Sequence, residues 1–168
     1  MEAKNGKFAI IQTMTETTAK KVTPLLFDTY MTMVENSIGT NMFRTAYAEV
    51  DGERKDVTLN GGLSCAFFVS SVLTILKLIK EIHITVAGTV RDLENSGWVE
   101  IQEPRVGAVI VWKVFDSGDG DPHPHIGFSL GEDEVISNSK EYGYPIKHKI
   151  DHRDREVEKI FWHEKLNQ

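Results

Sequence analysis

A single cysteine, Cys65, stands in a chain of 168 residues. That excludes an internal disulfide, a CxxC redox pair and a Cys-rich zinc cluster, so any chemistry at Cys65 proceeds without a second thiol from the same chain. Basic residues are the minority, 19 against 25 acidic ones for a net charge of −6, and they form no stripe interleaved with aromatics. Nucleic acid is therefore not an expected partner. The sequence has no internal repeat, low-complexity tract or Pro/Ser-rich linker, and no glycine pattern of the Walker or dinucleotide-binding type. Its first residues, MEAKNGKFAIIQTMTETTAKK, lack the basic end, apolar stretch and small-residue cleavage site of a secretory signal. The expectation is a cytoplasmic protein, or one exported by a route that needs no cleaved signal. No hydrophobic run is long enough to span a membrane. The best candidate, Leu63 to Ile79, contains Ser64, Ser70, Ser71, Thr74 and Lys77 and falls short of the roughly 20 residues required, so it reads as a buried central helix.

What is present suits one domain over residues 1–168, since 40% hydrophobic content at this length supports a proper core. TPLLFDTYMTMVENSI places Leu25, Leu26, Tyr30, Met33 and Val34 at helical spacing behind Pro24, which suits a first turn. GTNMFRTAYAEVDGERKDVTLNGG reads mostly as loop, with turn signals at Asp51-Gly52 and Asn60-Gly61. The central helix is expected from Ser64 to about Lys80, and TVRDLENSGW predicts a short helix ending near Gly97. After it come GAVIVWKVF, HIGFSL, EVISNS and VEKIFWH, short β-branched and aromatic runs separated by turn clusters. Helices followed by strands is the α+β order, with helices packed on an antiparallel sheet.

On this map Cys65 follows Ser64, a good N-cap, and becomes the first residue of the central helix, where unpaired N–H groups and the helix dipole favour a thiolate. Asn60, Gly61 and Gly62 allow unusual backbone angles and close approach by a substrate. The same cysteine also reads as core, because CAFFV is core-like and free cysteine is often buried. Composition leaves the two readings even. A thiolate nucleophile needs a base, and His125 opens the strand HIGFSL. His123 lies two residues earlier, and His-Pro-His is half of a metal-site pattern, but no second ligand pair accompanies it. No metal or other cofactor is expected. His83, His148, His152 and His163 read as surface or structural residues, with His148 placed to border a cleft. Asp116, Asp119 and Asp121 invite a calcium loop, but the twelfth position from Asp116 is Gly127 rather than a glutamate, so the segment reads as a solvated loop.

A cysteine at a helix start, a histidine 60 residues on in the form His-apolar-Gly, and a hairpin ending in a small polar cluster together resemble the NlpC-like cysteine peptidases and the related CHAP amidases, a papain-like group. GAVIVW is similar to that family's strand ahead of the histidine, with Ala108 where an aspartate is usual, and Ser64-Cys65-Ala66-Phe67 replaces the common Asp-Cys-Ser-Gly. The resemblance covers roughly residues 43 to 140. It implies a papain-like fold and hydrolysis of a peptide or amide bond, with peptidoglycan stem peptides as the family's usual substrate, and with Cys65 as nucleophile and His125 as base. It also implies an upstream tyrosine near the site, for which Tyr47 is the candidate, with Ser64 a further oxyanion or substrate contact. The alternatives are a thiol acyltransferase or transglutaminase-like enzyme using the same pair, and a catalytically silent binding module.

Two residues compete to orient His125. With a two-residue turn at Glu132 and Asp133, Ser129 pairs with Ile136 and Gly127 faces Asn138, which then shares the face of His125. A bulge would bring Ser137 there instead, as would a gapless match to the family's hairpin. Asn138 is the expected third residue, in the manner of a Cys-His-Asn site, and Ser137 the alternative.

Overall fold

The computed structural model of the protein describes residues 20–116 and 122–167. Residues 1–19 of the N-terminal segment read for a signal, and Asp119 and Asp121 of the acidic loop, lie outside the described residues. The architecture is α+β: among the described residues there are three α-helices and an antiparallel sheet of six strands, with a separate two-stranded hairpin. Among the described residues no helix is long and apolar enough to cross a membrane.

Helix α1 spans Leu26–Asn36 and buries Tyr30, Met31 and Val34. Tyr30 donates its hydroxyl to the Gly107 carbonyl at 2.7 Å, which pins the helix to the strand that starts just beyond. Helix α2, Cys65–Ile75, is buried along almost its whole length. One of its polar residues is accommodated locally: Ser70 Oγ donates to the His83 carbonyl at 3.0 Å and accepts the His83 N–H at 2.8 Å. The helix ends five residues before the expected Lys80, because Lys77 adopts the left-handed conformation (φ 56°) and the N–H groups of Lys77 and Leu78 turn back to Thr74 and Leu73. Helix α3, Val86–Asn95, starts where Thr85 Oγ1 accepts the Gly88 N–H, and stops before Gly97 at φ 92°.

The segment expected as loop contains a hairpin, β1 (Tyr47–Val50) and β2 (Glu53–Asp56), joined by Asp51 and Gly52 at φ 54° and 77°. Positive φ at both turn residues is the requirement of a tight two-residue hairpin. Nearly every residue of the pair is exposed, so the apolar/polar alternation that betrays a strand is absent. The large sheet is built from β3 (Trp98–Glu100), β4 (Val109–Phe115), β5 (His123–Gly131), β6 (Glu134–Asn138), β7 (Pro145–Lys149) and β8 (Val157–His163). They lie in the order β3-β8-β4-β5-β6-β7, every neighbour antiparallel. Helix α2 packs on β5 and β6 at the centre of this sheet. Phe68 of α2 meets Phe128 of β5 edge-on with ring centroids 5.3 Å apart, and Tyr30 meets the same ring at 5.7 Å, joining both helices to one strand through aromatic packing.

Candidate active site

The site starts in the loop ahead of α2. Asp56 gathers it: Oδ1 accepts from the Thr58 hydroxyl at 2.7 Å and the Thr58 N–H at 3.0 Å, and Oδ2 from the Asn60 N–H at 2.7 Å. The Thr58 hydroxyl, with the backbone donors behind it, holds the Asp56 carboxyl below its ordinary range. Gly61 follows at φ 92°, and a Cβ there would stand 2.4 Å from the Gly143 carbonyl oxygen. Only glycine satisfies both the angle and the approach, so this chain segment lies directly on the turn between β6 and β7.

Ser64 does not cap α2 through its side chain, as the sequence suggests it should. Its hydroxyl turns back to the Gly61 carbonyl at 3.3 Å, and the residue is wholly buried, so it is not a substrate contact either. The expectation of a thiolate at the helix start is opposed by burial. Burial pushes the Cys65 thiol above its ordinary value, and the N–H groups of Ala66 and Ile126, the positive charge of Arg155 and the N–H of Cys65 itself recover only part of that shift. Desolvation wins because the residue is 8% exposed.

The histidine hairpin departs from the expected register by one residue. Gly127 pairs with Ser137 and Ser129 with Val135, while Gly131 still pairs with Glu134. The slip is an irregularity on β5 between Ser129 and Gly131, where Gly131 sits at φ 88° and its N–H donates to Ser129 Oγ at 3.1 Å. Because side chains alternate along a strand, the slip exchanges the faces of β6. Ser137, not Asn138, therefore meets His125: His125 Nε2 lies 2.8 Å from Ser137 Oγ. Asn138 lies on the other face and donates from Nδ2 to the Gly61 carbonyl at 2.7 Å, tying the sheet to the loop that leads into Cys65. Its Oδ1 is buried without a partner among the described residues.

Beyond Ser137 the contacts continue. The same hydroxyl lies 2.6 Å from His148 Nε2 on β7, and His148 Nδ1 lies 2.7 Å from the Lys149 carbonyl oxygen. Trp112, which pairs with His125 across β4 and β5, backs both rings, at 5.4 Å from His125 and 6.2 Å from His148, with its own N–H donated to the Ile150 carbonyl at 2.8 Å. One cavity brings together Cys65, His125, Ser137 and His148, with Lys140 and Arg155 also in its wall. His123 and His152 line it as well, whereas His83 and His163 hold structural contacts elsewhere, to Asp92 and to the Ser96 carbonyl.

Tyr47 is not brought to this cavity. It stands exposed on β1 under the Arg54 guanidinium, 3.5 Å from its ring centroid, because the segment around it forms the outlying hairpin. Sequence reasoning missed the contribution of Trp112 and Arg155. Trp112 was legible only as a β-strand aromatic, and Arg155 enters from the loop before β8 with no motif to mark it. No protein-family model matches the chain, and no curated protein matches it.

Proposed function

We propose that the protein is a cysteine amidase or endopeptidase with a papain-like arrangement of the NlpC/CHAP type. The observation that carries this reading is the single cavity in which the only cysteine, at the start of a helix packed on the sheet, lies with a histidine whose ring is held by a hydroxyl on the neighbouring strand. A core cysteine has no need of that company.

Burial disfavours the charged form of Cys65, and His125 serves as its general base. As Cys65 Sγ attacks the substrate carbonyl carbon, the thiol proton passes to the His125 ring. The tetrahedral oxyanion is met by backbone N–H at the start of α2. Collapse breaks the C–N bond, the amine leaves with the proton from His125, and a thioester remains on Cys65. Water, deprotonated by His125, then attacks the thioester and releases the carboxylic acid and the thiol. Ser137 takes the place expected for Asn138 as the group that orients His125.

The substrate class that fits the resemblance is the peptide or amide bond of a peptidoglycan stem peptide. Digestion of purified peptidoglycan and of defined stem peptides, followed by mass spectrometry, tests it. Paired amine and carboxyl products with wild type and none with Cys65→Ala are expected. Absence of cleavage on every such substrate would remove the cell-wall assignment. The same digestion with an added amine separates hydrolysis from acyl transfer, with unchanged products expected.

A further inference from the structure

The contacts around Ser137 have a direction, and a backbone carbonyl sets it. The Lys149 carbonyl oxygen can only accept, so His148 Nδ1, 2.7 Å away, carries a proton and donates it. In the neutral ring Nε2 is then the acceptor, and the hydroxyl 2.6 Å from it must donate: Ser137 O–H points to His148. With its proton committed there, Ser137 Oγ offers a lone pair to His125 Nε2 at 2.8 Å, which must therefore be the protonated nitrogen of that ring. Nδ1 of His125 is left as the basic nitrogen.

We propose that His148 is a positioning residue: through the Ser137 hydroxyl it fixes His125 in the tautomer whose Nδ1 accepts the Cys65 proton. The inference rests on the proposed role of His125 as base. Three features of the fold build the relay. The slip in the β5–β6 hairpin brings Ser137 opposite Gly127, and that glycine leaves room for the hydroxyl to lean towards His125. On β7, Ile146 pairs with Ser137 and His148 with Val135, so His148 shares the Ser137 face. Trp112 backs both imidazoles and limits their rotation. The usual preference of a neutral imidazole is a proton on Nε2, so the arrangement asks His148 to adopt the less common tautomer, which the Lys149 carbonyl stabilises.

The first arm of the test needs no substrate. In protein labelled with nitrogen-15, at a pH where the ring nitrogens report both imidazoles neutral, His148 is expected to carry its proton on Nδ1 and His125 on Nε2. A proton on His148 Nε2, or on His125 Nδ1, would overturn the proposal whether or not the protein cleaves amides. The second arm reads Cys65 by alkylation with iodoacetamide, in which the C–S bond forms, iodide leaves and the thiol proton passes to His125. Ser137→Ala and His148→Phe should each slow alkylation at neutral pH by about tenfold, and the double variant should be no slower than either alone, since the groups act as one unit. At high pH, where hydroxide removes the proton, all variants should match wild type, which shows that access to the cavity is unchanged. His148→Gln, whose amide oxygen can still accept from Ser137, should recover most of the rate. Additive losses, or His148→Gln behaving as His148→Phe, would reduce His148 to a packing role and overturn the proposal.

Discussion

A Cβ on Gly127 would stand 2.6 Å from the Ile136 carbonyl oxygen and 2.7 Å from the Ser137 Cβ, closer than any real side chain tolerates. The glycine in His-apolar-Gly is thus what lets Ser137 approach the imidazole two residues away. Gly127→Ala should lower turnover by about tenfold or more, the scale of a misplaced general base, and the loss should appear in kcat rather than KM; an unchanged kcat would show that His125 does not depend on Ser137. Asn138→Ala should act differently, because it releases the loop ahead of Cys65 instead of the base. The raised thiol gives a further expectation. In His125→Ala, where no imidazole assists, the rate of Cys65 alkylation should follow the thiolate alone and climb with pH only beyond the range of an ordinary thiol, since a group raised by burial ionises later. A midpoint at or below that of a free thiol would contradict the desolvation argument. Cys65 and His125 were legible in the sequence from their types and places. The choice between Ser137 and Asn138 was not, since it turned on one irregular residue near Gly131, and strand patterns do not encode a bulge.

Among the elements, the join between α2 and α3 is gathered by one carboxylate. Asp92 of α3 accepts from the N–H groups of Lys80 and Glu81 at 3.2 and 3.0 Å, from Ser96 Oγ at 2.9 Å, and meets His83 Nε2 at 2.8 Å. Burial by itself would raise this carboxyl, but the hydrogen bonds from His83, Glu81, Ser96 and Lys80 overcome it and hold the value at about 2. A carboxyl lower in the folded than in the unfolded protein stabilises the fold above its unfolded value, and that stability disappears as the pH falls towards the folded one. The contribution here is about 2 kcal/mol by linkage. Acid unfolding of wild type should therefore steepen between the ordinary carboxyl value of 3.8 and about 2, and Asp92→Asn should be less stable at neutral pH by about 2 kcal/mol while losing that part of the acid dependence. Equal stability of the two proteins at neutral pH would contradict it. The helices, and the four strands with strong β-branched and aromatic character, were readable from periodicity. The hairpin at Tyr47–Val50 and Glu53–Asp56 was not, because it buries almost nothing, and Pro145–Lys149 was hidden by a proline start and an alternation shared between lysines and a histidine.

At the scale of the whole molecule, the order of elements does the positioning. Helices come first and the sheet afterwards, so Cys65 and His125 reach one cavity only when α2 seats on β5, and the aromatic contacts among Tyr30, Phe68 and Phe128 fix that seating. Asn138 and Gly61 then set the depth at which the start of α2 meets the sheet. This coarse arrangement was legible from the sequence as an α+β order, and so was His148 at the border of a cleft, whereas the cavity as a whole was not, since it draws Trp112 and Arg155 from separate segments whose convergence no spacing announces. The account stands most directly on the Cys65–His125 pair. The decisive measurement is turnover of a stem peptide or other amide substrate by wild type, Cys65→Ser and His125→Ala, with the melting temperature of each protein recorded alongside. The account predicts cleavage by wild type and loss of turnover by about a hundredfold or more in each variant, with melting temperatures nearly unchanged; a folded His125→Ala protein that cleaves at the wild-type rate would contradict it.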